Sequence, residues 1–529
     1  MDRPVSLIAA ARTTALGTLG SRITGLLRDM ATAAVLGMSG GGVLDAFVVA
    51  FRIPNLARRL LGEGALTAAF VPVFARELDR DRRRAGQVAA ATFALSAVVL
   101  AAGVTVAWLG LGAAYLLWGG RPGVDLLLGL AAAMMPYALF VCLAAQSAAV
   151  LQALGRFALP AAAPMVLNLC WLAAAIAIAP RVRPEGGGRA FVLAGAVLVA
   201  GVVQLGLQWA AVRRAGLRPA LDFGAVRQPV SEVFRGLAPV AAALAVTQLN
   251  ALADSLIAWG LAGPATATIG WLPGEVGYPM RPGAAGAIYF GERLYQFPLG
   301  LVGVAVATAV FPTVARRAAR GEGELLGSDI ATGLRLVLAV ALPAAAGLVL
   351  LGEPLVGLLF ERGLFTAHDT ARAARVVAFY GSGVWAYCAL PVVVRGFYAI
   401  GERRAPARLG LAAVGLNLAL NATLIWPLAE AGLAAATSAT AALQLAVLLA
   451  VFAARIPLPW GSLATTAARA AAATAVMAVA CLLLEPWLRG QVPASPAVQL
   501  AVLLAVAGGL YLAAYRILGG REIGWLLRG

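Results

Sequence analysis

The chain has 529 residues, 61% of them hydrophobic and only 12% charged, with a mean hydropathy of +0.87. Soluble globular chains are about 45–50% apolar and about 25% charged, so no water-soluble core hides this much apolar side chain. A formal net charge of +17 would suggest nucleic acid in a soluble protein, but every basic residue here is an arginine and most lie in short segments between apolar runs, which excludes a nucleic-acid partner.

In chain order, spans begin near residues 13, 43, 87, 126, 158, 190, 236, 286, 333, 376, 409, 431, 466 and 495. Uncharged stretches such as 87–120, 126–155, 157–180, 191–212, 376–394, 409–429, 431–454 and 491–515 reach or approach the ~20 residues that cross ~30 Å of hydrocarbon. In lipid each backbone donor and acceptor must be paired internally, and runs of this length rich in Ala, Leu, Val and Gly do so only as helices. Barrel strands would be about ten residues long and strictly alternating. The predicted fold class is all-α: a polytopic membrane protein of about fourteen transmembrane helices. The first thirty residues carry charge within the apolar run and show no small-residue cleavage site, so they read as a first span. With the N-terminus inside, the inner loops hold about two dozen arginines, among them Arg80, Arg82, Arg83, Arg84, Arg213, Arg214, Arg316, Arg317, Arg403 and Arg404, against about nine outside. The even helix count then places both termini in the cytoplasm.

A shift of about 240 residues brings three pieces of the chain into register with others. Ala69-Phe-Val-Pro72-Val-Phe-Ala75-Arg76 matches Ala309-Val-Phe-Pro312-Thr-Val-Ala315-Arg316. Ala153-Leu-Gly155 with Pro160 matches Ala399-Ile-Gly401 with Pro406, and Gln204-Leu205 matches Gln444-Leu445. Six helices separate the matching elements, so the two halves enter the membrane in the same direction. Such parallel repeats put a substrate path between two lobes. The expected organisation is a six-helix lobe over residues 1–232, a second over 233–460, and two additional helices with a cytoplasmic tail over 461–529.

Ionisable groups at bilayer depth are costly, about 2.5–3.5 kcal/mol each on insertion scales, so their positions are informative. The first span has Arg22, Arg28 and Asp29; the second has Asp45, Arg52, Arg58, Arg59 and Glu63; the eighth has Glu292 and Arg293. Arg22 and Asp29 are seven residues apart and share a helix face, whereas Arg28 points about 100° away. Gly17, Gly20 and Gly25 make the first span easy to bend. From Asp45 to Arg76 a helix would run roughly 48 Å, interrupted by Pro54, Gly62 and Gly64. One reading has these arginines paired with Asp29, Asp45, Glu63 and Glu292, or snorkelling to headgroups. The other has a surplus of guanidinium groups gripping an anionic head; their fork suits diphosphate and stays charged at any relevant pH.

The run Ser21-Arg22-Ile-Thr-Gly25-Leu-Leu-Arg28-Asp29, with Leu44-Asp45-Ala46-Phe47, Phe51-Arg52-Ile-Pro54-Asn55-Leu-Ala-Arg58-Arg59-Leu-Leu-Gly-Glu63-Gly64-Ala65 and Ala69-Phe70-Val71-Pro72, resembles the MurJ/MviN lipid II flippases. Glu292-Arg293-Leu294, Phe297-Pro298-Leu-Gly300-Leu-Val-Gly303-Val-Ala305, Phe360-Glu-Arg-Gly363-Leu-Phe365-Thr366 and Gly396-Phe397-Tyr398-Ala399 extend the likeness over essentially the whole chain, most weakly over the last two spans. The resemblance implies the multidrug/oligosaccharidyl-lipid/polysaccharide exporter fold. It also implies a function: moving undecaprenyl-diphosphate-linked peptidoglycan precursor from the inner to the outer leaflet by alternating access. Its charged site would be Arg22, Arg28, Asp29, Asp45, Arg58, Glu63 and Arg293, and the charge reading of the second span adds Arg52 as a candidate substrate-binding residue. Gln296 departs from relatives that carry an acid there. The resemblance further implies a sodium site at Asp254, Asn417, Asn421, the Leu433 carbonyl and Thr437, with Asn421 replacing a carboxylate; interhelical hydrogen bonds are the alternative reading of those residues. Implied partners are lipid II, membrane lipids and cell-wall synthesis proteins; no cofactor beyond that sodium ion is implied.

Cys142, Cys170, Cys388 and Cys481 stand singly in apolar segments as buried thiols, and His368, the only histidine, falls in an outside loop. No nucleophile–base pair, phosphate loop or metal cluster appears in the sequence, so an enzyme is not expected. The competing functions are a polysaccharide-lipid flippase or cation-coupled drug exporter of the same superfamily, and a non-transporting scaffold. The long, Gly- and Pro-rich segment 260–286 has no role in any of these readings.

Overall fold

The structure, a computed structural model, describes residues 7–217, 221–270, 272–491 and 495–524, apart from the side chains of 7–15, 62–65, 122, 238–247, 489 and 491. It is 85% helical, and the described residues form no strand. Eleven helices among them are long and apolar enough to cross a membrane. The other three expected spans coincide with helical stretches 7–36, 43–80 and 223–260, the first two of which bear the intramembrane charges.

The chain forms two compact units. Unit 1 is residues 1–260 with 362–365. Its helices are α1 (Leu7–Leu36), α2 (Val43–Ala57), α3 (Thr67–Arg80), α4 (Arg82–Trp118), α5 (Pro122–Met134), α6 (Pro136–Ala153), α7 (Ala158–Ala173), α8 (Gly188–Arg214) and α9 (Phe223–Gly260). Between α2 and α3 the second span passes through a π-helical stretch, Arg58–Leu66, which contains Gly62 and Gly64, two of the expected interruptions, whereas Pro54 lies within α2. The glycines of the first span face α7. α1 is continuous, and a Cβ at Gly17 would come within 2.7 Å of Ala161 Cβ and one at Gly20 within 3.1 Å of Met165 Sδ. Small residues on this face let α7 approach closely, a mode of packing that suits lipid, where hydrophobic exclusion no longer drives helices together.

Unit 2 is residues 261–361 with 366–529. It holds α10 (Ala284–Pro298), α11 (Val304–Ala319), α12 (Gly323–Leu350), α13 (Gly352–Phe360), α14 (Ala367–Ser382), α15 (Val384–Ala399), α16 (Arg404–Leu428), α17 (Glu430–Ala453), α18 (Trp460–Gln491) and α19 (Pro496–Ile517). A second π-helical stretch, Leu299–Gly303, joins α10 to α11. Under the 240-residue shift it falls within the counterpart of Arg58–Leu66, just before the matched Pro72 and Pro312 helices. The second repeat piece is reproduced as local geometry. Gly155 and Gly401 follow α6 and α15 with φ of 76° and 77°, the left-handed conformation that costs least at glycine. Each is followed by a residue whose N–H returns to the helix: Arg156 to Leu151 O at 2.8 Å and Glu402 to Phe397 O at 3.0 Å.

The segment 260–286 is ordered by its neighbours within unit 2. Ala262 bridges Met280 and Thr268 bridges Gly277, and Ile269 and Met280 are buried. Arg372 of α14 donates to Pro282 O at 2.8 Å and Arg281 O at 3.2 Å while pairing with Glu430 at 2.8 Å, so one guanidinium fixes this segment to α14 and α17.

The two additional helices are bound to α12 by packing and by one carboxylate. Ala470, Ala473, Met477, Cys481, Leu503 and Tyr511 share a core with Ala339 and Leu351. Beyond α19, buried Glu522 accepts from Arg335 Nη2 at 2.6 Å, Thr466 Oγ1 at 2.9 Å and Tyr515 Oη at 2.7 Å. Burial by itself pushes the Glu522 carboxyl up, but its hydrogen bonds from Tyr515, Arg335 and Thr466 together outweigh that and hold it at about 2, below the usual 4.5. Since the folded value is depressed, this carboxylate stabilises the fold fully above pH 4.5, and the contribution fades as pH falls towards 2. Glu522→Gln is expected to lower the unfolding temperature at pH 7, with a loss on the order of 2 kcal/mol. The gap from wild type should close between pH 4.5 and about 2. A gap that does not change with pH would show that the carboxylate charge is not what holds the tail.

Candidate functional site

The first and second spans place their charged groups by helix register, and unit 1 gathers some of them around α7. Arg28 and Asp29, 6% and 2% exposed, form an ion pair with Nε and Nη2 on Asp29 Oδ1 at 3.0 and 2.7 Å. The third guanidinium nitrogen, Nη1, donates to Asn168 Oδ1 at 3.0 Å, and the guanidinium carbon lies 4.6 Å from the Trp171 ring centroid. Asn168 is anchored in turn, its amide donating to Ser21 O at 3.0 Å and Thr24 Oγ1 at 3.2 Å. Trp171 is itself wedged edge-on by Phe47 and Phe51, each 5.1 Å away. Sequence spacing put Asp29 on the face of Arg22. The flexible Arg28 side chain instead wraps onto its neighbour's carboxylate, because a desolvated guanidinium takes the nearest acceptor.

The remaining charges of unit 1 distribute along the second span. Arg22 is exposed, and no ion pair is recorded for it among the described residues. Asp45 is buried on α2. Arg52 donates to Ala251 O at 2.9 Å and Arg59 to Gln248 Oε1 at 3.1 Å, both on α9, so the span is tied to that helix one turn from buried Asp254. Arg58 opens the π-helical stretch and turns back to Asn55 Oδ1 at 2.9 Å. Glu63 is inside that stretch, and its side chain lies outside the described residues.

In unit 2, Arg293 lies one turn after Tyr289, with its guanidinium carbon 4.7 Å from the ring centroid and Nη2 3.2 Å from the hydroxyl. Tyr289 is braced edge-on by Phe290, whose ring lies 4.6 Å from that of Phe360 at a tilt of 38°. Both units thus seat a span arginine close over an aromatic face, Arg28 on Trp171 and Arg293 on Tyr289. A ring under the guanidinium plane compensates part of its charge and leaves the N–H edge, the edge that meets oxygen anions, directed sideways.

The oxygens implied for sodium form a ladder within unit 2. Asn421 Nδ2 donates to Asn417 Oδ1 at 3.1 Å, Asn417 Nδ2 to Thr437 Oγ1 at 3.3 Å, and Thr437 Oγ1 to Leu433 O at 2.9 Å. Two of these bonds run within α16 and α17, and the Asn417-to-Thr437 bond joins the two helices. Among the described residues no group of three or more His, Cys, Asp or Glu is placed to hold a metal. His368 is exposed.

Sequence reasoning missed Asn168, Trp171 and Tyr289. Asn168 had a signal, since a lone amide in the otherwise apolar run 157–180 must find a partner in lipid. The two aromatics had none, because an aromatic in a membrane helix usually packs against other helices.

The Lipid II flippase MurJ family profile matches residues 32–495. A Rhizobium tropici protein named "Probable lipid II flippase MurJ" is 32% identical over 99% of this chain and 96% of its own length. Among solved structures, one titled "Lipid II flippase MurJ, inward closed conformation" aligns with a TM-score of 0.75 at 18% identity, covering 97% of this chain and 99% of the other. A multidrug resistance MATE family transporter of the MOP superfamily aligns with a TM-score of 0.65 at 14% identity, over 85% and 99%. At these identities the two structures speak for the fold.

The Arg28 seat gives a direct expectation. Asn168→Leu removes the acceptor of Nη1 and both donors that anchor α7 to α1, so thermal unfolding in lipid nanodiscs should show a loss of about 1–3 kcal/mol. An unchanged unfolding profile would mean that Asn168 does not brace Arg28.

Proposed function

The chain belongs to the lipid II flippase MurJ family, and on that premise we propose that it moves lipid II from the inner to the outer leaflet of the bacterial inner membrane, with both of its termini in the cytoplasm. Transport in this family is not chemical catalysis, so the chain's residues bind and release a head group without making or breaking bonds. The observation that supports the reading best is the pair of ring-seated arginines, Arg28 over Trp171 and Arg293 over Tyr289. Arginine kept charged in an apolar surrounding is costly to retain, and a diphosphate is the kind of ligand whose oxygens match its fork.

In this proposal Asp29 serves as the resting counterion of Arg28, and the diphosphate takes its place when the head group arrives. Exchange of one anion for another spares the guanidinium a bare state, which in low dielectric would be strongly unfavourable. Arg22, Arg52, Arg58 and the carboxylates Asp45 and Glu63 contribute to the same charged path. The repeat lobes at 1–232 and 233–460 rock between inward and outward access, with 461–529 as an added pair of helices. The polyprenyl tail stays in lipid and only the polar head crosses. The sequence has no nucleotide-binding motif, so the drive is electrochemical, one charge across 100 mV being worth about 2.3 kcal/mol. Sodium enters the proposal at Asp254, Asn417, Asn421, Leu433 and Thr437, where binding would require the Asn421-to-Asn417 and Thr437-to-Leu433 hydrogen bonds to open. Cell-wall synthesis proteins are proposed partners for the released precursor.

Two measurements test this. In a bacterium depleted of its own lipid II flippase, the wild-type chain should restore growth and outer-leaflet exposure of the precursor, whereas Arg28→Ala and Arg293→Ala should not, at equal membrane abundance. Full rescue by both variants would end the diphosphate reading. Replacing sodium by choline in a vesicle assay should slow transport severalfold if the ion site operates, and an unchanged rate would remove sodium from the scheme.

A further inference from the structure

We propose that unit 1 contains a buried water-binding site between α4, α6 and α8, built by Thr92, Gln146 and Gln208. All three side chains are at most 2% exposed. Thr92 Oγ1, both amide atoms of Gln146 and Gln208 Oε1 are inaccessible and have no hydrogen-bond partner within the protein. Fully buried amides are ordinarily satisfied, and in lipid no bulk water reaches them.

Helix register puts the three at one level of neighbouring helices. α6 and α8 run parallel, and a Cβ at Gly201 would meet the Tyr137 ring at 2.8 Å and Phe140 Cβ at 3.1 Å, an offset of 61 to 64 residues along the two helices. The same offset sets Gln208 level with Gln146, and one turn further on Val212 and Val150 share a single core cluster. α4 runs antiparallel to both. The Phe93 and Trp209 rings meet at 4.8 Å, which sets the Thr92 turn of α4 level with the Gln208 turn of α8, and Val88 joins Val212 and Val150 in that cluster. The apolar layer and the polar layer are therefore successive turns of the same three-helix seam.

The chemistry of the orphaned atoms selects the ligand. A cation would satisfy the carbonyl and hydroxyl oxygens but would repel the Gln146 amide N–H groups, and an anion would do the reverse. Water both donates and accepts, and buried waters typically make two to four such bonds. The other half of the molecule supplies an internal control. At the repeat shifts of 246 and 240, Gln146 and Gln208 correspond to Val392 and Leu448, both buried and apolar. At these two positions unit 1 is polar where unit 2 is apolar, so the glutamines are not a requirement of the helix packing that the repeat shares.

The test is a cryo-EM map of the full chain in lipid nanodiscs, at a resolution where ordered water is visible, with thermal unfolding of Gln146→Met and of the double variant Gln146→Val/Gln208→Leu. The expected result is a density peak within hydrogen-bond reach of the Gln146 amide and of Thr92 or Gln208, and an unfolding temperature lower by about 2–4 °C in Gln146→Met. Absence of the peak in the wild-type map would overturn the proposal. So would a rise in unfolding temperature in either variant, since replacing a dry, orphaned amide by an apolar side chain relieves a penalty. A density peak at this position that is lost when sodium is replaced by choline would assign it to an ion and overturn the proposal as well. If Gln146→Met does not fold, the wild-type map decides.

Discussion

A guanidinium held at bilayer depth cannot discharge itself by losing a proton, so the protein around it must supply compensation in place of water. Around Arg28 three different groups do this: a carboxylate one residue away, an amide on α7 and the face of Trp171. Each would be a weak partner alone. Together they distribute the charge in three directions, and they depend on α1 and α7 lying close enough for Asn168 to reach across. The glycines of α1 are the condition for that approach, which makes the helix packing and the electrostatics of the site one problem.

The two units solve the problem of an irregular helix in the same way. Each sends a span through a π-helical stretch at the matching repeat position, Arg58–Leu66 and Leu299–Gly303, and each follows it with a proline-containing helix. They differ in what they bury. The seam of α4, α6 and α8 has glutamines where the second half has Val392 and Leu448. Divergence of this kind is expected after duplication, since backbone geometry is shared through packing while polar groups answer to local chemistry.

The last two helices, outside the repeat, are not loosely appended. Glu522 ties the segment after α19 to Arg335 on α12 and Thr466 on α18, and Tyr511 reaches the Ala339 carbonyl. Such a buried, multiply bonded carboxylate is specific in a way that apolar packing in lipid is not, because any apolar face matches acyl chains as readily as it matches another helix.

Composition and hydropathy alone determined that the chain is a helical membrane protein, because lipid leaves the backbone no other way to pair its polar groups over ~20 apolar residues. Repeat pieces such as Ala153-Leu-Gly155 and Ala399-Ile-Gly401 were legible because a left-handed turn demands glycine wherever it recurs. The charged residues of the candidate site were legible too, since an ionisable group in an apolar run is rare. Their partners were not. That Arg28 meets Asn168, 140 residues away, that the glycines of α1 serve close packing, and that segment 260–286 is fastened by Arg372 were decided by tertiary structure. Helix periodicity assigns a side chain to a face, whereas which neighbour occupies that face depends on how the helices pack, and linear spacing does not encode that.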